Sequence, residues 1–132
     1  MRCNYGLAMK KKVILVQDNQ DILEIMDEVL VEEGFDVTSS LTTDPLKKVD
    51  KIEPDLVIID EHIKGTVKGS QVIKALKSDE RTVDIPAVLT STSNNLASLA
   101  EDCKADDFIN KPFEIDEMLD TVKKNITTKK NT

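Results

Sequence analysis

Pro54-Asp55-Leu56-Val57-Ile58-Ile59-Asp60 carries the reading of the whole chain: four consecutive apolar residues stop on a carboxylate. A short continuous apolar run of this kind suits a strand covered on both faces, as in a parallel sheet. Two other runs stop in the same way. Val13-Ile14-Leu15-Val16 leads into Gln17-Asp18, and Asp107-Phe108-Ile109-Asn110 leads into Lys111-Pro112. As parallel strands of one sheet, the three bring two carboxylates and an ammonium to a shared edge. Open α/β sheets place their ligands in the crevice at that edge.

Helical patterns separate the runs. Ile22, Ile25, Met26, Val29 and Leu30 recur on one face of an amphipathic helix, and Gly34 stands where a glycine stops it. Phe35-Asp36-Val37-Thr38 alternates like a half-buried edge strand. Asp44-Pro45 reads as an N-cap followed by proline in the first turn of a second helix, marked by Leu46, Val49 and Ile52. Val72, Ile73 and Leu76 mark a third helix. Pro86 opens the strand Ala87-Val88-Leu89-Thr90, and Leu96, Leu99, Ala100 and Cys103 form a fourth helix. Ile115, Met118, Leu119, Val122 and Ile126 stripe the last one. The sequence therefore predicts an α/β fold of (βα)5 order: a doubly wound, five-stranded parallel sheet with helices on both faces. Residues 1–10 read as a loose N-terminal extension, 11–127 as one domain, and 128–132 as a frayed polar tail.

Composition narrows the function. The 132 residues carry a formal net charge of −7 and only 3% aromatics. An acidic surface repels nucleic acid and anionic membrane, and no stacking platform for single strands is visible. No apolar stretch reaches the ~20 residues of a membrane span. Cys3 and Cys103 are too few for a disulfide framework and fit free thiols in a reducing cytoplasm. After the first strand there is neither a dinucleotide-binding nor a P-loop glycine pattern. Gln17-Asp18-Asn19-Gln20-Asp21 has two carboxylates there instead, which repel bare phosphate and attract a hard divalent cation. Asp18 and Asp60 can supply carboxylates to Mg²⁺, Lys111 is the balancing cation, and Ser91 adds a hydroxyl. A carboxylate can accept a phosphoryl group as an acyl phosphate, with the remaining residues supplying position and charge.

These residues carry a resemblance. Val13-Ile14-Leu15-Val16-Gln17-Asp18-Asn19, the run over 54–60, Ile85-Pro86-Ala87-Val88-Leu89-Thr90-Ser91 and Ala105-Asp106-Asp107-Phe108-Ile109-Asn110-Lys111-Pro112-Phe113 occur in an order and spacing similar to the receiver domain of two-component response regulators. The resemblance implies a flavodoxin-like strand order 2-1-3-4-5 and a stand-alone signalling module rather than an enzyme. Asp60 then matches the acceptor of a phosphoryl group from a phosphohistidine on a sensor histidine kinase or a histidine phosphotransfer protein. Asp18, Asp60 and the backbone carbonyl of His62 match Mg²⁺ ligands, and Gln17 reaches the metal through water. Lys111 matches the lysine that contacts the phosphoryl group, with Pro112 behind a cis bond. Ser91 and Phe108 match the switch pair, Thr92 the position controlling access. A downstream protein docks on the face of the fourth helix, fifth strand and fifth helix. With no output domain, the chain acts by docking, or is a piece of a hybrid kinase or larger regulator.

The chain also departs from that pattern. Gln17 replaces a second acid, which predicts weaker Mg²⁺ binding. Thr92 stands where Ala or Gly is common, Lys104 replaces a frequent Gly, and the loop over 61–69 is one residue longer, with Lys64 in place of Pro. Gln17 also favours an alternative: a pseudo-receiver interaction module that takes no phosphate. A hydrolase on a similar sheet needs an acid two residues past the nucleophile, where this chain has His62. Each residue has a plainer reading as well. Asp18 can be a helix N-cap, Lys111 and His62 solvated, and Phe108 core. A one-residue slip lets Thr90, Thr92 or Ser93 replace Ser91.

Overall fold

A computed structural model describes residues 10–63 and 67–130, without the side chains of 127–130. Nine residues of the expected extension, Lys64 and residues 131–132 lie outside the described part. The elements are β1 (Lys12–Val16), α1 (Gln20–Glu32), β2 (Asp36–Ser40), a 3₁₀ segment (Asp44–Lys48) running into α2 (Val49–Ile52), β3 (Leu56–Asp60), α3 (Gly69–Lys77), β4 (Ala87–Ser91), α4 (Leu96–Cys103), β5 (Asp107–Asn110) and α5 (Ile115–Lys130). All neighbouring strands pair in parallel, in the order β2-β1-β3-β4-β5. The doubly wound α/β architecture is thus the one the apolar runs predict.

Strand alternation divides the interior. Val13, Leu15, Leu56, Ile58, Val88 and Ile109 pack with Leu23, Met26 and Leu30 of α1 and with Met118, Val122 and Ile126 of α5. On the opposite face, Ile14, Val16, Val57, Ile59, Ala87 and Leu89 pack with Ile73 of α3 and with Leu96, Ala100 and Cys103 of α4. Full burial of each large aliphatic side chain stabilises the fold by about 1.5–3 kcal/mol before the entropy of ordering is counted.

Helix ends follow local chemistry. Asn19 caps α1, its side-chain oxygen accepting the Ile22 N–H at 3.0 Å. Gly34 takes φ +97° just past α1, and the Gly34 and Phe35 N–H groups close on the Val31 and Leu30 carbonyls, a Schellman ending. α4 ends in the same way, with the Ala105 N–H on the Ala100 carbonyl, but Lys104 occupies the left-handed position at φ +66°.

Three details differ from expectation. Ile25 is 50% exposed, whereas Leu23 is buried; the i, i+3, i+4 spacing fits two overlapping stripes, and the sheet receives the one through 23, 26 and 30. Thr43, not Asp44, is the N-cap before Pro45, and the following turn is 3₁₀. The Ser40 and Thr42 hydroxyls accept the Thr42 and Asp44 N–H groups there. Finally, α5 continues through Lys130, into the segment read as a tail.

Candidate functional site

The site follows from the same alternation. In β1, β3 and β4 the row Leu15, Ile58, Val88 is succeeded one pleat further on by Gln17, Asp60 and Thr90. Val16 pairs with Ile59 and Asp60 pairs with Thr90, so these three polar residues stand side by side at the carboxyl edge. All three are buried: Gln17 0%, Asp60 1% and Thr90 0% exposed.

A carboxylate buried to this degree needs donors. Lys111 Nζ lies 2.5 Å from Asp60 Oδ1. The Thr90 hydroxyl donates to the same oxygen at 2.8 Å, and the His62 N–H donates to Oδ2 at 3.0 Å. Gln17 Nε2 donates in turn to Thr90 Oγ1 at 3.0 Å, and Gln17 Oε1 is buried with no hydrogen-bond partner. The lysine reaches inward from the end of β5, where the Lys111–Pro112 peptide bond is cis and the Lys111 N–H donates to the Ser91 carbonyl at 2.9 Å.

The surrounding backbone is fitted closely. Glu61 is also buried; its carboxylate accepts the Ser70 N–H at 2.8 Å and the Ser70 hydroxyl at 3.1 Å. It satisfies a free amide at the start of α3, where a negative charge is favoured. Gly69 begins α3 against the strand end: a Cβ there would stand 2.1 Å from the Asp60 carbonyl oxygen.

Asp18, Asp60 and Lys111 were read as the centre of the site. Asp60 and Lys111 are in contact. Asp18 follows the strand part-buried, and Asn19, not Asp18, caps the helix, which removes its plainer reading. Ser91 is buried on the opposite parity from Thr90, and its hydroxyl accepts the Ser93 N–H at 3.0 Å. The hydroxyl that reaches Asp60 is thus Thr90's. Phe108 is 36% exposed, so it is not the core residue its apolarity suggested. Thr92 and His62 are exposed. Sequence reading missed Glu61, and met Thr90 only as a stand-in for Ser91. The signal for Thr90 was present in its spacing of two from Val88.

Among the described residues, no three His, Cys, Asp or Glu side chains cluster as a metal site. A magnesium ion here would rely on Asp18, Asp60, main-chain oxygen and water, which is the oxygen-rich, water-retaining set that Mg²⁺ accepts. The buried, unpartnered Gln17 Oε1 fits that set, since it can accept from a water held by the ion. Beneath α4, burial pushes the Cys103 thiol up from its ordinary value, with Glu61 and Asp102 adding to the effect against main-chain hydrogen bonds.

Residues 13–123 match the sequence model of the response regulator receiver domain. Sporulation initiation phosphotransferase F of Bacillus subtilis is 28% identical over 124 residues, 93% of this chain and 99% of that protein. The phosphate regulon transcriptional regulatory protein PhoB of Escherichia coli is 30% identical over 118 residues, 87% of this chain and 51% of that one. The DNA-binding dual master transcriptional regulator RpaA of Synechocystis is 29% identical, covering 85% of this chain and 47% of that one. The chain thus spans about half the length of the two transcriptional regulators. In fold it superposes on a CheY-like response regulator receiver domain protein of Methanospirillum hungatei with a TM-score of 0.80 at 19% identity, covering 92% of this chain and 98% of that one. The chemotaxis response regulator CheY4 of Vibrio cholerae gives 0.79 at 21% identity, covering 88% and 98%.

Proposed function

Since this chain belongs to the response regulator receiver domain family, we propose that Asp60 accepts a phosphoryl group from a phosphohistidine on a sensor histidine kinase or histidine phosphotransfer protein. The observation that carries the reading is Asp60 itself: a carboxylate 1% exposed, at the carboxyl edge of the sheet, with an ammonium 2.5 Å away. An oxygen of Asp60 forms a bond to phosphorus as the phosphorus–nitrogen bond of the donor breaks, and the electron pair leaves with the imidazole. Lys111 follows the charge to the phosphoryl oxygens, and the main-chain N–H of His62 holds the carboxylate. Asp18, Asp60, the His62 carbonyl and, through water, Gln17 would hold Mg²⁺. Bound there, the ion supplies a Lewis acid and a template for the phosphoryl oxygens.

On this reading the chain is a cytoplasmic signalling module of a phosphorelay, catalysing only its own phosphorylation and slow dephosphorylation. Ser91 and Phe108 form the switch, Thr92 governs access, and a target protein docks on the face of α4, β5 and α5. Phosphorylation shifts the population between two arrangements of that face. No helix among the described residues is long and apolar enough to cross a membrane.

The uncharged Gln17 favours a second reading, a pseudo-receiver that binds partners without taking phosphate. One experiment separates the two. The chain is incubated with Mg²⁺ and acetyl phosphate and its intact mass is measured. Gain of one phosphoryl group, absent in Asp60→Asn, is the expected result. No gain at saturating donor and metal establishes the pseudo-receiver.

A further inference from the structure

Two features of the site are left unused by this scheme: the hydroxyl of Thr90 and the Nε2 donor of Gln17. We propose that Thr90, its proton aimed by Gln17, is a positioning residue for phosphoryl transfer at Asp60; the inference rests on Asp60 being the acceptor.

The argument is one of donors and acceptors. Gln17 Nε2 lies 3.0 Å from Thr90 Oγ1 and can only donate. The single hydroxyl proton of Thr90 is therefore left for Asp60 Oδ1, 2.8 Å away. The opposite orientation of the amide, indistinguishable by shape alone, would draw that proton to Gln17. It would then set a hydroxyl lone pair against the carboxylate with no proton between them. The charge on Asp60 thus fixes the direction of the whole chain, from Gln17 through Thr90 to Asp60.

With Lys111 and Thr90 both on Oδ1, and only the His62 N–H on Oδ2, the two carboxylate oxygens are unequal. Oδ1 has its two acceptor positions filled, and Oδ2 keeps one open. Oδ2 is then the oxygen that forms the bond to phosphorus, while the leaving group departs with the bonding pair. Oδ1 becomes the carbonyl oxygen of the acyl phosphate and still accepts the Thr90 proton. When Lys111 moves to the phosphoryl oxygens it frees one position on Oδ1, the one through which Asp60 would hold Mg²⁺, and Thr90 is the side-chain donor that stays on Oδ1 and keeps the carboxyl plane in place. A carboxylate at position 17 would accept the Thr90 proton and turn the chain round. The amide at 17 and the hydroxyl at 90 therefore work as a matched pair, which gives Gln17 a role beyond a missing charge.

Thr90→Val keeps the shape and removes the proton, and Thr90→Ser keeps the hydroxyl. Phosphorylation of the full chain is followed by intact mass with acetyl phosphate at saturating Mg²⁺, and Mg²⁺ affinity is measured separately by calorimetry. Thr90→Val is expected to lower the maximal rate roughly tenfold, as loss of alignment does, with half-saturating donor and Mg²⁺ affinity held within about twofold. Thr90→Ser is expected to recover most of the rate. In metal-free protein, the ¹⁵N resonance of the Gln17 side-chain amide is expected to shift in Thr90→Val and much less in Thr90→Ser. In a Gln17→Asp background the same Thr90→Val change is expected to alter the rate by less than about twofold. The inference is overturned if Thr90→Val is phosphorylated like the wild type, if Thr90→Ser is as slow as Thr90→Val, or if the tenfold loss persists beside Asp at 17. A wild-type chain that gains no mass removes the acceptor reading and this inference together. A wild-type chain that gains mass beside an unimpaired Thr90→Val removes this inference alone.

Discussion

Gly69 is held to the smallest side chain by a neighbour it does not resemble, the main-chain oxygen of the acceptor aspartate. A methyl group there would sit 2.1 Å from that oxygen, and backbone cannot move aside as a flexible side chain can. Gly69→Ala is therefore expected to cost about 3 kcal/mol of stability, the upper part of the range for overpacking, read as a lower urea midpoint at unchanged slope. The helix propensity of alanine works in the opposite direction by only about 1 kcal/mol, so the sign of the change reports the contact. At the same scale, a buried carboxylate with three donors and a buried amide with one unmatched oxygen show how little freedom the site residues have.

At the scale of elements, α1 and α4 close with the same hydrogen-bond pattern on different residues. Gly34 takes φ +97° after α1, and Lys104 takes φ +66° after α4. The left-handed conformation costs a side-chain-bearing residue about 1–2 kcal/mol, and glycine gives part of this back through greater freedom in the unfolded chain. Lys104→Gly is thus expected to raise stability by about 0.5–1 kcal/mol, seen as a higher midpoint of thermal unfolding. The elements themselves were legible because runs such as Leu56-Val57-Ile58-Ile59 and stripes such as Met118, Val122 and Ile126 have one physical explanation each. Where two explanations overlap, sequence reading erred: Ile25 and Leu23 lie on adjoining stripes of α1, and only the docked sheet selects between them. Thr43 stands at the cap position without a side-chain capping bond and Asp44 lies inside the turn, a one-residue shift that no pattern ranks. Asp60, Asp18 and Lys111 were legible as strand-end residues. The face on which Thr90 lies was legible from its spacing to Val88, but its contact with Asp60 was not, because that depends on the pairing of β3 with β4, a property of register and not of either segment.

For the whole molecule, acidity is a means of probing how the last strand and helix are joined. Asp107 starts β5, and it accepts the Asn125 side chain at 3.0 Å, Lys124 at 3.1 Å and its neighbour's N–H, Phe108, at 2.8 Å. Burial pushes its carboxyl up, yet the three donors outweigh burial and hold it below the ordinary 3.8. A depressed carboxyl stabilises the fold above its unfolded value and ceases to do so as pH falls through its folded value. Against Asp107→Asn, the wild type is expected to keep a constant advantage in urea midpoint from neutrality to about pH 4, shrinking below it. A gap that widens on acidification would contradict this. The division of the interior by strand parity has a last consequence. The sheet is a continuous partition, and its two chambers have separate linings: Asp60 crowns one, over α1 and α5, while Ser91 crowns the other, over α3 and α4. A message passing from the first compartment to the second over the top of this wall can cross in a single peptide step, from residue 90 to residue 91.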